Sequence, residues 1–463
     1  MSNVVQLPLA NRLDAFINEM NRQYAVVAAG ASVRILWETR DPTAGGLAIR
    51  FLQKEDFRLL TMNLPPVDPD ERSSAANFWL RHPKRREYQA VNFLPCPETP
   101  EGTYNLWRGF AVKPTPGRSD KFWQFVRDVI CGGNDVQYRY VRKWLAHAVQ
   151  RTNELPGTAL VLRGEQGIGK NTFADTIGAL FGEHYMPVSS LGQITGRFSG
   201  HLADKVLVHA NEAIWGGNKA EEGTLKAMIT DPKMAMESKG RDIITVNNYK
   251  RVIVSSNEQW AVPRGLDDRR FFVVDVSNAH KKDQAYFGAI HDELARGGRE
   301  AIMYDLLHED LTGFNVRLMP NTGAGLDMKL KSATSTVRWL SEFLNGGYRA
   351  EGTGRWAPEL EISPTGGAVD KALAYDNYVG FCSTDPGRSE PRSEFFKTLR
   401  KGIPSMREER DSHATLGVRI RRIVFPGLAT ARKEFEALVN QPGTIDWEEV
   451  PVAAQPSTPI QAK

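Results

Sequence analysis

Apolar and polar positions alternate with different periods along the chain. Up to about residue 60, an opening helical stretch is followed by short apolar runs, Tyr24–Ala29 and Ser32–Trp37, separated by Gly and charged breaks. That pattern predicts a small strand-rich region. Residues 75–86 carry Phe78, Trp79 and Leu80 at helical spacing ahead of a basic run, and Tyr104–Phe110 reads as a strand ending in a loop rich in Pro and Gly. Two helical stretches follow, Asp120–Cys131 and Val136–Arg151, the second with Val141, Trp144, Leu145, Ala148 and Val149 along one face. They predict a helical collar leading into the next domain.

Beyond Gly157 the pattern changes to short apolar strands alternating with helices: Ala159–Leu162, Val206–His209, Val252–Ser256 and Phe271–Asp275. Apolar runs of this length between helical stretches predict a parallel sheet covered by helices, an α/β core. A helical tail spans Gln284–Leu311, and Gly, Thr and Ser surround one amphipathic piece, Val337–Leu344. From Val369 to Leu438 the order is helix, helix and two short strands, and the last 13 residues read as a disordered tail. The expected organisation is therefore an N-terminal α+β region (1–90), the collar (91–153), the sheet domain (154–320), a linker with one helix (321–365), a basic domain (366–445) and the tail (446–463). No internal repeat is visible.

Composition adds bounds. The 463 residues suggest about three domains at roughly 150 residues each, and 41% hydrophobic with 25% charged residues excludes wholesale disorder. Cys96, Cys131 and Cys382 have no metal-ligand spacing and are odd in number, which speaks for a reducing compartment rather than a disulfide framework. No apolar stretch reaches the ~20 residues that span a bilayer, so no membrane partner is expected. The net charge of +4 hides an uneven distribution, because residues 388–433 hold 12 Lys or Arg against 5 acids, a local +7. Two helices and the strand-like run 417–425 there look like a winged helix that binds nucleic acid, with a basic protein-interaction module as the alternative.

The strand Ala159–Leu162 runs into Gly164-Glu-Gln-Gly167-Ile-Gly169-Lys170-Asn171-Thr172 and then into the apolar-periodic helix Phe173–Phe181. Strand, glycine spacing, Lys and helix together are a P-loop: Gly164, Gly167 and Gly169 let backbone N–H groups turn around phosphate oxygens, and Lys170 reaches the β and γ phosphates of ATP. A Gly-rich turn capping a helix is the bland alternative. Asn171 stands where a Ser or Thr contacts Mg²⁺, and the hydroxyl comes one residue later, at Thr172. Asn211-Glu212 ends the next strand, a place from which a carboxylate polarises water or holds Mg²⁺; Glu212 is the catalytic candidate and, with Thr172, the metal candidate. Asn257 ends the third strand, where an amide can orient the water. Arg269 and Arg270 follow Asp267 and Asp268; one suits a transferring phosphoryl group, preferably Arg270, while the other pairs with an acid. Residues 234–247 read as a hairpin turning at Lys239-Gly240-Arg241-Asp242.

With these residues in this order, supported by Leu225-Lys226 and Phe314–Arg317, the chain resembles the superfamily 3 helicases of the phage and poxvirus primase-helicase type. The resemblance implies an AAA+-like ATPase domain in a homo-hexameric ring that translocates on single-stranded or forked DNA in the cytoplasm of a bacterial host. It also implies that the hairpin enters the central channel, Lys239 gripping the backbone phosphate with Arg241 beside it. A primase needs clustered acids, and only Asp68 and Asp70 offer a pair, in a Pro-rich loop; a primase or polymerase is therefore expected in trans. A competing expectation is an ATP-regulated scaffold, loader or defence-type oligomer that separates no strands.

Overall fold

The computed structural model describes residues 9–449 apart from 30–31, 41–46, 66–73, 97, 190, 196–199, 212–218, 237–243, 258–267, 353–357, 385–388 and 413–418. Near the N-terminus, Tyr24–Ala29 pairs antiparallel with Ser32–Arg40, which pairs with Leu47–Leu52, while Glu87–Tyr88 joins the other side in parallel. The period of two sorts the side chains. Tyr24 and Ile35 meet Ile17, Met20, Phe57 and Trp79 on one face, and Ala25, Val27 and Leu36 meet Tyr104 on the other.

Helix α1 (Asp135–Gln150) starts at Asn134, whose side chain accepts from the N–H groups of Val136 and Gln137 at 3.0 Å, an N-cap. Its apolar stripe Val141, Trp144, Leu145, Ala148 and Val149 is buried as the periodicity predicts. The stripe shares one continuous core with Leu160, Leu162, Ile177 and Phe272. The collar helices are thus a cover of the sheet, packed directly on it.

The sheet has five parallel strands: β1 (Ala159–Arg163), β2 (Tyr185–Val188), β3 (Leu207–Ala210), β4 (Arg251–Ser256) and β5 (Phe271–Asp275), in the order β5-β1-β4-β3-β2. Strands β1 and β4 are buried on both faces, which is why they read as unbroken apolar runs. Helix α2 (Lys170–Phe181) follows β1. Four strands are expected from the sequence; the fifth, β2, is a four-residue edge strand whose exposed Pro187 interrupts the strand signal, and an edge is where a sheet tolerates Pro. The expected tail Gln284–Leu311 is two helices, Gln284–Glu293 and Arg299–His308, broken where Gly297 takes φ 96. Lys233–Met236 and Ile244–Asn247 form the expected hairpin, in register Met236↔Ile244; its tip, with Lys239 and Arg241, lies outside the described residues.

The expected linker contains two helices with different allegiances. Gly323–Ser332 buries Ala324 and Met328 against the sheet, and α3 (Ser335–Asn345) buries Trp339, Leu340, Phe343 and Leu344 in a separate C-terminal core. That core continues through β6 (Gly367–Asp370), α4 (Lys371–Thr384), α5 (Arg392–Gly402), β7 (Arg407–Ser412), β8 (Arg419–Phe425) and α6 (Leu428–Leu438), with an antiparallel sheet ordered β6-β8-β7. Strand β6 and helix α6 are additions to the expected helix, helix and two strands. Among the described residues no helix is long and apolar enough to cross a membrane.

Candidate functional site

Strand β1 brings the chain to Gly164 at the C-terminal edge of the sheet, and α2 takes it away from Lys170, so the six residues between turn beside the end of β4. Gly169, the N-cap of α2, has φ 98, and a Cβ there would lie 2.7 Å from Phe287 and 2.8 Å from Phe125. A Cβ on Gly164 would lie 2.7 Å from Ile168 Cδ1. Only glycine fits the backbone and the space at these positions. Gly167, with φ 80, accepts from the N–H of Lys282 at 2.9 Å.

Lys170 is only 6% exposed. Its ammonium donates to the carbonyls of Gly164 (2.5 Å) and Glu165 (2.6 Å) and to Asn257 Oδ1 (2.8 Å). The loop lysine and the amide at the end of β4 are therefore joined because their strands are neighbours. They face a cavity of about 270 Å³ whose wall includes Gly167, Gly169, Asn171 and Thr172 of the loop, Asn211 at the end of β3, and Phe287. The N-terminus of α2 points its free N–H groups and partial positive charge at this space, an arrangement suited to an anion. Glu165 is turned aside by Lys281 and by Asn278 Nδ2 at 3.0 Å; the Lys281 hydrogen bond holds its carboxyl below the usual range.

A polar chain runs from the exposed Asp175 to the buried Ser255. Tyr185 donates to Asp175 Oδ1 at 2.7 Å and sits 3.2 Å from His209 Nδ1, and His209 Nε2 lies 2.8 Å from Ser255 Oγ. Burial pushes the His209 imidazole down to about 4, so it is neutral at pH 7. The chain ties β3 to β4, the strands that present Asn211 and Asn257. Neither it nor Phe287 carries a signal in the sequence, because each lies inside an ordinary strand or helix pattern.

The expected site residues are distributed as follows. The loop, Lys170, Asn171, Thr172 and Asn257 come together. Glu212 lies outside the described residues, directly after Asn211, and β4 lies between its strand β3 and β1. Asp68 and Asp70 also lie outside them. Arg269 is exposed, whereas Arg270 pairs with the buried Asp268, receiving its carboxylate on the backbone N–H at 2.8 Å and on Nη1 at 3.4 Å. The pairing thus falls on the arginine preferred for catalysis, and Arg269 is left open. Both stand at the opposite edge of the sheet from the loop: the Arg270 carbonyl accepts from Ala159 N at 2.7 Å, one five-residue strand, roughly 16 Å, away.

Residues 162–270 match DUF5906, a family of unknown function. A stretch of 154 residues, 33% of the chain, is 29% identical to the DNA primase-polymerase of Nitratiruptor phage NrS-1. It spans 21% of that protein, about a fifth of its length. An apo structure of the NrS-1 C-terminal region superposes with a TM-score of 0.63 at 17% identity, covering 89% of this chain and 99% of that one. This chain shares the fold of the NrS-1 C-terminal region. The A form of the same region gives 0.63 at 16% identity. The likeness extends well beyond the matched loop and strands, to 89% of the chain.

Proposed function

We propose that this protein is an ATP-driven helicase or translocase of phage DNA replication, working as a hexameric ring on single-stranded or forked DNA. The observation that carries the reading is the contact between Lys170 and Asn257 at the mouth of the glycine-loop cavity. In an AAA+-like domain the loop N–H groups bind the phosphates and Lys170 exchanges its carbonyl partners for phosphate oxygens. Asn257 orients the attacking water, and Glu212 takes its proton. The glycine cradle, which any Cβ would fill, fits ATP. Thr172 and Glu212 would hold Mg²⁺, whose chemistry there is neutralisation of phosphate charge. The NrS-1 protein's name as a DNA primase-polymerase, and its shared fold, support a place in phage replication, with priming supplied in trans.

The C-terminal units favour DNA as partner. Helix α3, β6, α4, α5, β7 and β8 follow one another as in a winged helix, and in the wing Arg410 stands directly opposite Arg421. Like charges facing across strands are destabilising by themselves, and a phosphate backbone relieves them. Arg269, open and a strand's length from its own loop, is the arginine that a neighbouring subunit's nucleotide would meet.

The test is DNA-stimulated ATP hydrolysis coupled to displacement of a labelled strand. Stimulation without displacement would favour a scaffold or loader. Mixing Lys170→Ala and Arg269→Ala chains should restore part of the hydrolysis by rebuilding complete boundaries; no recovery in mixed rings would remove Arg269 from the neighbour's site.

A further inference from the structure

A larger cavity, of about 430 Å³, lies where the N-terminal sheet meets the segment entering the collar. Its wall is mostly polar and includes Arg86, Tyr88, Tyr104, Trp107 and Arg108. The guanidinium of Arg108 lies 4.9 Å from the centre of the Tyr104 ring, and that of Arg86 lies 5.5 Å from Tyr88 and 5.7 Å from Tyr104. The two phenols meet edge to face at 5.3 Å. Behind this wall Glu38 accepts from Arg86 at 2.9 Å and from the Tyr104 hydroxyl at 2.6 Å, fixing one guanidinium and one ring. Arg108 donates from Nη2 to the Tyr104 hydroxyl and makes no ion pair among the described residues.

Contacts tie this position to the far end of the helix that follows the glycine loop. Trp107 stacks on His184 at 4.5 Å, the Arg108 N–H donates to His184 Nε2 at 2.9 Å, and the Ala111 N–H donates to the Leu180 carbonyl at 2.9 Å. Leu180 belongs to the last turn of α2, whose first residue is Lys170. The two cavities thus lie toward opposite ends of one 12-residue helix, about 18 Å long.

We propose that this cavity binds one nucleotide unit of a single-stranded nucleic acid, its base against the guanidinium and ring faces and its phosphate on Arg108. The choice of a nucleic acid rests on the DNA reading above. Rings and guanidinium planes stack any base, and cationic groups beside them hold the backbone. A strand fits better than a free nucleotide for two reasons. The cavity has no glycine cradle or helix N-terminus for a polyphosphate. Outside it the basic run continues through Arg85, Lys84 and the exposed Arg81; Lys84 pairs with Asp14 and Arg85 with Glu87, each at 2.9 Å, in exposed ion pairs weak enough for a phosphate to replace the carboxylate, so a track of cationic groups extends beyond the length of one nucleotide.

The test uses the full chain and a fluorescein-labelled deoxythymidine dodecamer without ATP. Arg108→Gln and Tyr88→Leu should each weaken binding about tenfold with thermal unfolding unchanged. On the unmutated chain, a bromodeoxyuridine dodecamer should photocrosslink to peptides carrying Tyr88 or Trp107, which keeps the test independent of how the variants fold. Unchanged affinity in both variants, with crosslinks elsewhere, overturns the proposal and leaves the DNA reading standing. No dodecamer binding by the parent removes both. If thymidine monophosphate binding depends on Arg108 while dodecamer binding does not, the cavity takes a free nucleotide and the strand proposal falls.

Discussion

Both ends of the parallel sheet bury a cation against backbone carbonyls, yet the two ends do different things. At the C-terminal end, Lys170 donates to two carbonyls of a glycine loop and to Asn257, facing a cavity of about 270 Å³. At the N-terminal end, Arg251 is fully buried and donates to the carbonyls of Thr152 (3.0 Å), Tyr249 (2.6 Å), Arg151 (2.6 Å) and Glu154 (2.8 Å). Three of those carbonyls close the end of α1, where the helix dipole is negative. Arg251 is a plug, because its partners have no replacement. The partners of Lys170 can be exchanged for phosphate oxygens, because the loop is open. A buried cation can exchange its partners only where it faces a cavity.

The largest effect expected is on the open end. Lys170→Ala should lower ATP turnover by at least about a thousandfold while costing about 1 kcal/mol or less of stability. Steady-state hydrolysis and urea unfolding on the same preparation check both halves. A large loss of stability would make Lys170 a second plug and erase the contrast. The sealed end should behave in the opposite way: Arg251→Met leaves four buried carbonyls without their donor and should cost about 3 kcal/mol or more. Urea unfolding reads this directly, and a loss below about 1 kcal/mol would mean that water takes over the carbonyls.

How far this contrast was legible depended on what each residue type does elsewhere in proteins. Glycines at fixed spacing after an apolar strand have few other uses, so the loop and Lys170 stood out. Apolar runs without polar interruption marked β1, β4 and β5. Arg251 was invisible, since an Arg before an apolar run ordinarily reads as a solvated flank, and three of its four partners lie about a hundred residues upstream. Strand β2 was hidden by Pro187, and His209 and Ser255 by the apolar strands that contain them. That the C-terminal core begins at α3 is hidden for a similar reason. Helix α3 is amphipathic, but its partners Phe395, Ile423 and Phe435 lie far along the chain.

Lys250, beside Arg251 and 2% exposed, sharpens the comparison through pH. Burial pushes its ammonium down to about 8, from 10.5. Between these values the unfolded chain binds more protons than the folded one, so stability rises with pH through that window; below pH 8 the burial of the charge costs about 3 kcal/mol. Urea unfolding of parent and Lys250→Met at pH 7.5, 9 and 10 isolates the residue. The variant should be the more stable at pH 7.5, and its advantage should shrink toward pH 10. A difference independent of pH would mean that Lys250 titrates normally and that this end of the sheet is wetter than its burial indicates.

The smallest effect expected belongs to Asn257, which touches the open end without binding phosphate. Its amide accepts from Lys170 at 2.8 Å, and in the proposed reaction it orients the water. Asn257→Ala removes that orientation and should lower turnover by about a hundredfold, with ATP affinity changed less than about threefold because the loop N–H groups and Lys170 remain. Asn257→Asp separates orientation from charge. The carboxylate keeps the shape and can still accept a hydrogen bond, but at pH 7 it pairs with the Lys170 ammonium and repels the γ phosphate. This variant should therefore lose ATP affinity as well as turnover. Fluorescence titration with a labelled ATP analogue, set beside steady-state hydrolysis, distinguishes the two. If alanine weakens binding as much as aspartate does, Asn257 serves to hold Lys170 in place, and the amide belongs with the architecture of the loop.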